Sequence, residues 1–94
     1  MKMDSKENAK IRSLILDHLY ENEINNPGKD SNVPRDEMLK HLNVSENADI
    51  SKKLMDFNIY YLRDKHLITL KEMISSPWAL AKITALGIDK VEYH

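Results

Sequence analysis

The 94-residue chain has no cysteine, only two glycines and three prolines, and a single tryptophan and a single phenylalanine. Without cysteine there can be no disulfide, no thiolate nucleophile and no cysteine-ligated zinc or iron–sulfur centre. No apolar run approaches the roughly 18 residues that a membrane span needs, and the opening residues do not read as a signal peptide, so the expected location is cytoplasmic. A basic excess is missing too: 14 Lys and Arg stand against 15 Asp and Glu, for a net charge of −1 and a pI near 6.4. Nucleic-acid binders commonly carry such an excess, because phosphate contacts and counterion release supply most of their non-specific affinity. Any nucleic-acid binding here must come from a local patch.

What is present is an ordinary globular mixture, 41% apolar and 31% charged, too apolar for disorder and too charged for a fibre. The length allows one domain, residues 1–94. A domain this small buries only about 60–65% of its unfolded surface, so nearly every periodic apolar residue is needed for the core and little is left for a deep catalytic pocket. No enzyme, cofactor or metal site is expected. His18, His41, His66 and His94 are dispersed, with no pair at helical ligand spacing. Glycine-rich phosphate loops and nucleophile elbows are missing.

Hydrophobic spacing predicts a first helix over 5–24, capped by Ser5, with Ile11, Leu14, Ile15 and Leu19 on one face and Leu16 and Tyr20 on a second. The breaker-rich stretch 25–32 ends it. Val33 is biased to an extended conformation by Pro34, which opens a short helix over 34–42 with Met38, Leu39 and Leu42 buried. Asn43 tolerates a left-handed backbone and can reverse the chain. A long third helix is expected over 46–65. At about 100° per residue, Ile50, Leu54, Phe57, Asn58 and Tyr61 face inward, while Lys52, Asp56, Ile59, Tyr60 and Arg63 face outward. Residues 67–83 form a hairpin turning at Ser75-Ser76-Pro77, and Thr84 caps a last helix over 84–93 with Ile88 and Val91 inward. Gly87 costs that helix about 1 kcal/mol relative to alanine, which close approach of its backbone to a neighbour would offset. The fold class is mainly α with a small β-hairpin.

This order of elements resembles the winged helix-turn-helix family over almost the whole chain. Val33-Pro34-Arg35-Asp36-Glu37-Met38-Leu39 is similar to the family's short strand leading into helix 2. Asn43-Val44-Ser45 resembles the turn between helices 2 and 3, and Tyr61-Leu62-Arg63-Asp64-Lys65-His66-Leu67-Ile68 resembles the entry to the wing. Ile83-Thr84-Ala85-Leu86-Gly87-Ile88-Asp89-Lys90-Val91-Glu92 is similar to the tail after the wing in small bacterial and archaeal members. The resemblance implies a transcriptional regulator binding double-stranded DNA, with helix 3 in the major groove and the hairpin wing against the backbone or minor groove. It implies a three-helix bundle plus wing and C-terminal helix, and DNA-contacting residues Ser51, Lys52, Lys53, Tyr60 and Arg63 on helix 3 with Ser75 and Ser76 at the wing tip. A homodimer would set two recognition helices on two half-sites, and Leu16, Tyr20 and the region of Tyr93 are candidate dimer surfaces.

The charges leave alternatives open. Helix 3 is nearly balanced, Asp56 is placed to neutralise Lys52 four residues earlier, and the wing tip carries no cation, only Lys71 and Lys82 further back. Lys52 and Lys53 read either as phosphate contacts or as a solvated helix face. Trp78 reads as a core anchor at the start of the second strand. Outward Ile59 and Tyr60 suit packing under the wing or a protein interface, so the competing function is a winged-helix interaction or assembly module that does not bind nucleic acid.

Overall fold

The structure, a computed structural model, describes residues 5–44, 50–74 and 76–93. Four α-helices, one 3-10 turn and three short strands follow the expected order: α1 (Ser5–Asn25), the 3-10 turn (Gly28–Ser31), β1 (Val33–Pro34), α2 (Arg35–His41), α3 (Lys52–Asp64), β2 (Ile68–Met73), β3 (Ser76–Ile83) and α4 (Ala85–Glu92). The fold is mainly helical with a small antiparallel sheet of order β1-β3-β2. None of the described helices is long and apolar enough to cross a membrane.

The sheet is built around β3. β2 and β3 form the expected hairpin, with Ile68 opposite Ile83 and Leu70 opposite Ala81, but Ser76 and Pro77 belong to β3 rather than to the turn, because Ser76 pairs with Met73. Val33 and Pro34 pair with Ala81 and Leu80 on the other side, and Pro34 is tolerated because β1 is an edge strand. Trp78, 1% exposed, fills the core beneath β3. α1 buries Ile11, Ile15, Leu16 and Leu19 and keeps Lys10, Ser13, Asp17 and Glu21 exposed. That explains its two apolar stripes: it meets α3, β3 and α4 on different sides. Asn22 Nδ2 donates to the Ser31 carbonyl at 2.7 Å and ties the 3-10 turn to α1.

Local signals set most boundaries, although Ser5 already lies within α1 instead of capping it, and Pro34 pairs in β1 so that α2 starts at Arg35 and ends at His41. Asn43 has φ of 56° and turns the chain after α2. His66, at φ of 64°, does the same after α3, a cost a non-glycine residue bears only where packing demands it. Thr84 Oγ1 accepts from Gly87 N at 3.0 Å and caps α4. A Cβ on Gly87 would stand 2.2 Å from the Leu67 carbonyl oxygen and 2.6 Å from Ile83 Cγ1, so the glycine is what lets α4 lie on the base of the hairpin.

α3 departs from the expected 46–65 in two ways. Ile50 and Ser51 are not helical, and the helix begins at Lys52; the other residues of the expected first turn, 46–49, lie outside the described residues. Its face is also rotated by about one residue step. The buried positions are Leu54, Met55, Asn58, Ile59 and Leu62, so Ile59 is in the core, whereas Phe57 is 54% and Tyr61 37% exposed. The aliphatic set Met55, Ile59 and Leu62 follows i, i+4, i+7 spacing and takes the core. The flank expected to be apolar meets polar groups of α1 instead. There Asn58 Nδ2 donates to Asn8 Oδ1 and to the Leu54 carbonyl, both at 3.0 Å, while Asn58 Oδ1 accepts from Arg12 Nε at 2.8 Å. Asn58 is fully buried, and this network satisfies it.

Candidate nucleic-acid interface

The seven expected contact residues separate into three groups. Lys52 and Lys53 lie exposed on the first turn of α3, and neither forms an ion pair among the described residues. They share that turn with the helix's free N–H groups, the positive end of its dipole. The combination attracts anions.

Ser51, Tyr60 and Arg63 are committed to holding the fold. Ser51 is the N-cap of α3, extended at φ −86° and ψ 162°, and its Oγ accepts from Leu54 N at 3.1 Å. Its hydroxyl therefore closes the helix rather than standing on its outer face. Tyr60 donates its hydroxyl to the Pro77 carbonyl in the hairpin. The Arg63 guanidinium contacts Glu72 Oε1 at 2.5 Å and Asp64 Oδ1 at 3.1 Å, and it lies over the Tyr60 ring. Two carboxylates on one guanidinium leave a local negative balance, which is unfavourable for a phosphate contact at this point.

The hairpin tip forms the third group. Ser75 lies outside the described residues, as does the side chain of Ser76, whose backbone pairs with Met73. Of the cations behind the tip, Lys82 donates to the Gly28 carbonyl at 3.1 Å, whereas Lys71 is exposed.

Asp56 does not neutralise Lys52. It turns toward α2 and β3, where its Oδ2 accepts from Arg35 Nη2 at 2.8 Å and its Oδ1 from Trp78 Nε1 at 2.8 Å. The side chains of Arg35 and Asp56 are 22% and 18% exposed, and the carboxylate raises the guanidinium pKa further. One acid thus fastens α2, α3 and the hairpin together, with Tyr60 and Arg63 adding two more ties along the same edge. The outer stripe that remains is Lys53, Phe57 and Tyr61, spaced four residues apart beside Lys52. Phe57 stands at the surface, 54% exposed, although an aromatic within a periodic apolar pattern reads as core.

Two other expectations are corrected. Leu16 is 6% exposed and covered within the monomer. Tyr20 donates to Glu92 Oε2 at 2.7 Å, which raises its pKa. Tyr20 is half-buried with this hydrogen bond at the surface, and Tyr93 is 79% exposed. His18 and His41 are also not dispersed in space: their rings stack with centroids 3.9 Å apart, and His18 Nε2 meets Glu37 Oε2 at 2.9 Å. His41 is held below the usual histidine range by partial burial and then by His18. Among the described residues no group of three or more side chains is arranged to hold a metal. No family model, curated protein or solved structure matches the chain.

Proposed function

We propose that this protein is a winged helix-turn-helix transcriptional regulator. In this reading α3 enters the major groove of double-stranded DNA, with the β2–β3 hairpin against the sugar-phosphate backbone as the wing. The observation that carries the reading is the pair Lys52 and Lys53, exposed and without a carboxylate partner among the described residues at the start of α3. Three supports accompany it. The element order resembles that of the family, Asn43 makes the left-handed turn before α3, and the Asp56, Tyr60 and Arg63 ties hold the hairpin beside the helix. Lys52 and Lys53 then bind phosphate oxygens or guanine edges, and Phe57 contacts thymine methyls. A homodimer would place two such helices on half-sites about one DNA turn apart. The reading assigns no catalytic step and no cofactor.

With few cationic contacts, affinity depends on salt only mildly, each phosphate neutralised contributing a slope of about −0.9 in log–log form. Fluorescence anisotropy against labelled duplex pools at low salt tests this. Binding is expected for the wild type and its loss for Lys52→Glu/Lys53→Glu; equal binding by both proteins overturns the reading.

One observation favours the competing function, a winged-helix module that docks a protein. Phe57 and Tyr61 are exposed one helical turn apart on α3, and paired aromatics are enriched at protein interfaces. Ile59 and Tyr60 no longer support that alternative, since Ile59 is buried and Tyr60 is tied to Pro77. Under it, Phe57→Ala abolishes partner binding while the lysine swap leaves it intact.

A further inference from the structure

An open groove of about 800 Å³ runs between α1, the C-terminal end of α3 and α4, a volume typical of small-molecule sites. Its floor is aliphatic, with Leu62, Leu67 and Leu86 among the lining residues. Leu86 is 53% exposed, whereas Ile88 and Val91 of the same helix pack against the core. One end is cationic. Arg12 and Lys65 both lie against the Tyr61 ring, 3.5 and 5.8 Å from its centroid. The two like charges are therefore within about one Debye length, ~10 Å, of each other. Neither forms an ion pair among the described residues. The aromatic face relieves part of their repulsion, and an anion between them would relieve the rest. Two carboxylates, Asp17 and Asp89, also line the groove, but with Lys90 present the cations still outnumber them.

We infer that this groove binds a small amphipathic carboxylate, its carboxyl group between Arg12 and Lys65 and its hydrocarbon body along Leu62, Leu67 and Leu86. The charge-paired end sets the orientation and the aliphatic floor supplies the area. The site lies at the other end of α3 from Lys52 and Lys53 and shares Tyr61 with that helix's outer stripe. Lys65 follows Lys52 by 13 positions, about 20 Å along a helix axis, and the inference stands whether or not DNA is bound.

The test uses octanoate and octan-1-ol, which share a chain length and differ in charge. Each is titrated into the full chain while backbone amide shifts are followed by NMR. Octanoate is expected to move the amides of Arg12, Tyr61, Leu67 and Leu86 and to bind about fivefold tighter than octanol, as for one partly exposed ion pair. Lys65→Gln removes a charge that touches the Tyr61 ring but forms no ion pair among the described residues; it should bring octanoate down to the affinity of octanol and leave octanol unchanged. Leu86→Asp should weaken both. Equal affinity for the two probes in the wild type overturns the inference, as does an unaffected Lys65→Gln. Shifts confined to residues outside the groove, no shifts at all, or a groove covered by a second copy in sedimentation also overturn it.

Discussion

Replacing Asp56 by alanine removes the acceptor of both Arg35 and the Trp78 indole N–H. Breaking one side of a buried ion pair costs about 3–5 kcal/mol, but these two side chains are 22% and 18% exposed. Water therefore reaches Arg35, and about 2 kcal/mol is the appropriate share. Trp78 is only 1% exposed, so its stranded N–H adds about 1 kcal/mol more. The total of roughly 3 kcal/mol is a large part of the 5–15 kcal/mol typical of a small domain, and it should lower Tm by about 15 °C. Urea unfolding followed by far-UV circular dichroism measures it. Trp78→Phe deletes the same hydrogen bond from the donor side, so the double variant should fall short of additivity by about 1 kcal/mol. A loss below about 0.5 kcal/mol for Asp56→Ala, or strict additivity with Trp78→Phe, would show that the carboxylate does not fasten the hairpin to α3.

Ile59→Ala should cost about 2–5 kcal/mol and Phe57→Ala less than about 0.5 kcal/mol; denaturant midpoints giving the reverse order would return α3 to its expected rotation. Gly87→Ala gains about 1 kcal/mol of helix propensity but drives a methyl onto the Leu67 carbonyl 2.2 Å away. Overpacking costs of about 1–3 kcal/mol outweigh the gain, so the variant should melt lower, and a higher Tm would contradict the close approach. The depressed pKa of His41 means that the unfolded chain takes up its proton first as pH falls. Its contribution is complete above the unfolded pKa of about 6.5 and is lost as pH drops through the lower folded value. Comparing urea midpoints at pH 7.5 and 5.5, the wild type should lose more than His41→Gln, and equal losses would refute the assignment.

Elements whose signals are local could be read from the chain itself. The Asn43 turn, the Thr84 cap and the close approach at Gly87 each depend on one residue and its immediate neighbours. The hairpin follows from β-branched residues around Ser75-Ser76-Pro77. The rotation of α3 does not have that character. Met55, Ile59 and Leu62 compete with Leu54, Phe57 and Tyr61 for the inner face, and the winner is decided by what α1 presents. The polar pair Asn8 and Arg12 draws Asn58 inward and leaves Tyr61 under a guanidinium. The same limit governs the candidate site. The four-residue spacing places Asp56 near Lys52, yet its partners in the fold lie 21 and 22 positions away in sequence. Ser51 and Arg63 carry suitable chemistry for DNA, but the Ser51 oxygen caps α3 and the Arg63 guanidinium is held by Glu72 and Asp64, which no spacing rule reveals.

The most direct measurement is the map of backbone amide shifts when a short DNA duplex is added to the protein at low salt. If α3 and the hairpin form the binding surface, perturbations concentrate on residues 51–57 and 71–77 and fade as salt rises. Shifts centred instead on Leu86 and Lys65, or none at any salt concentration, would contradict DNA binding by this face.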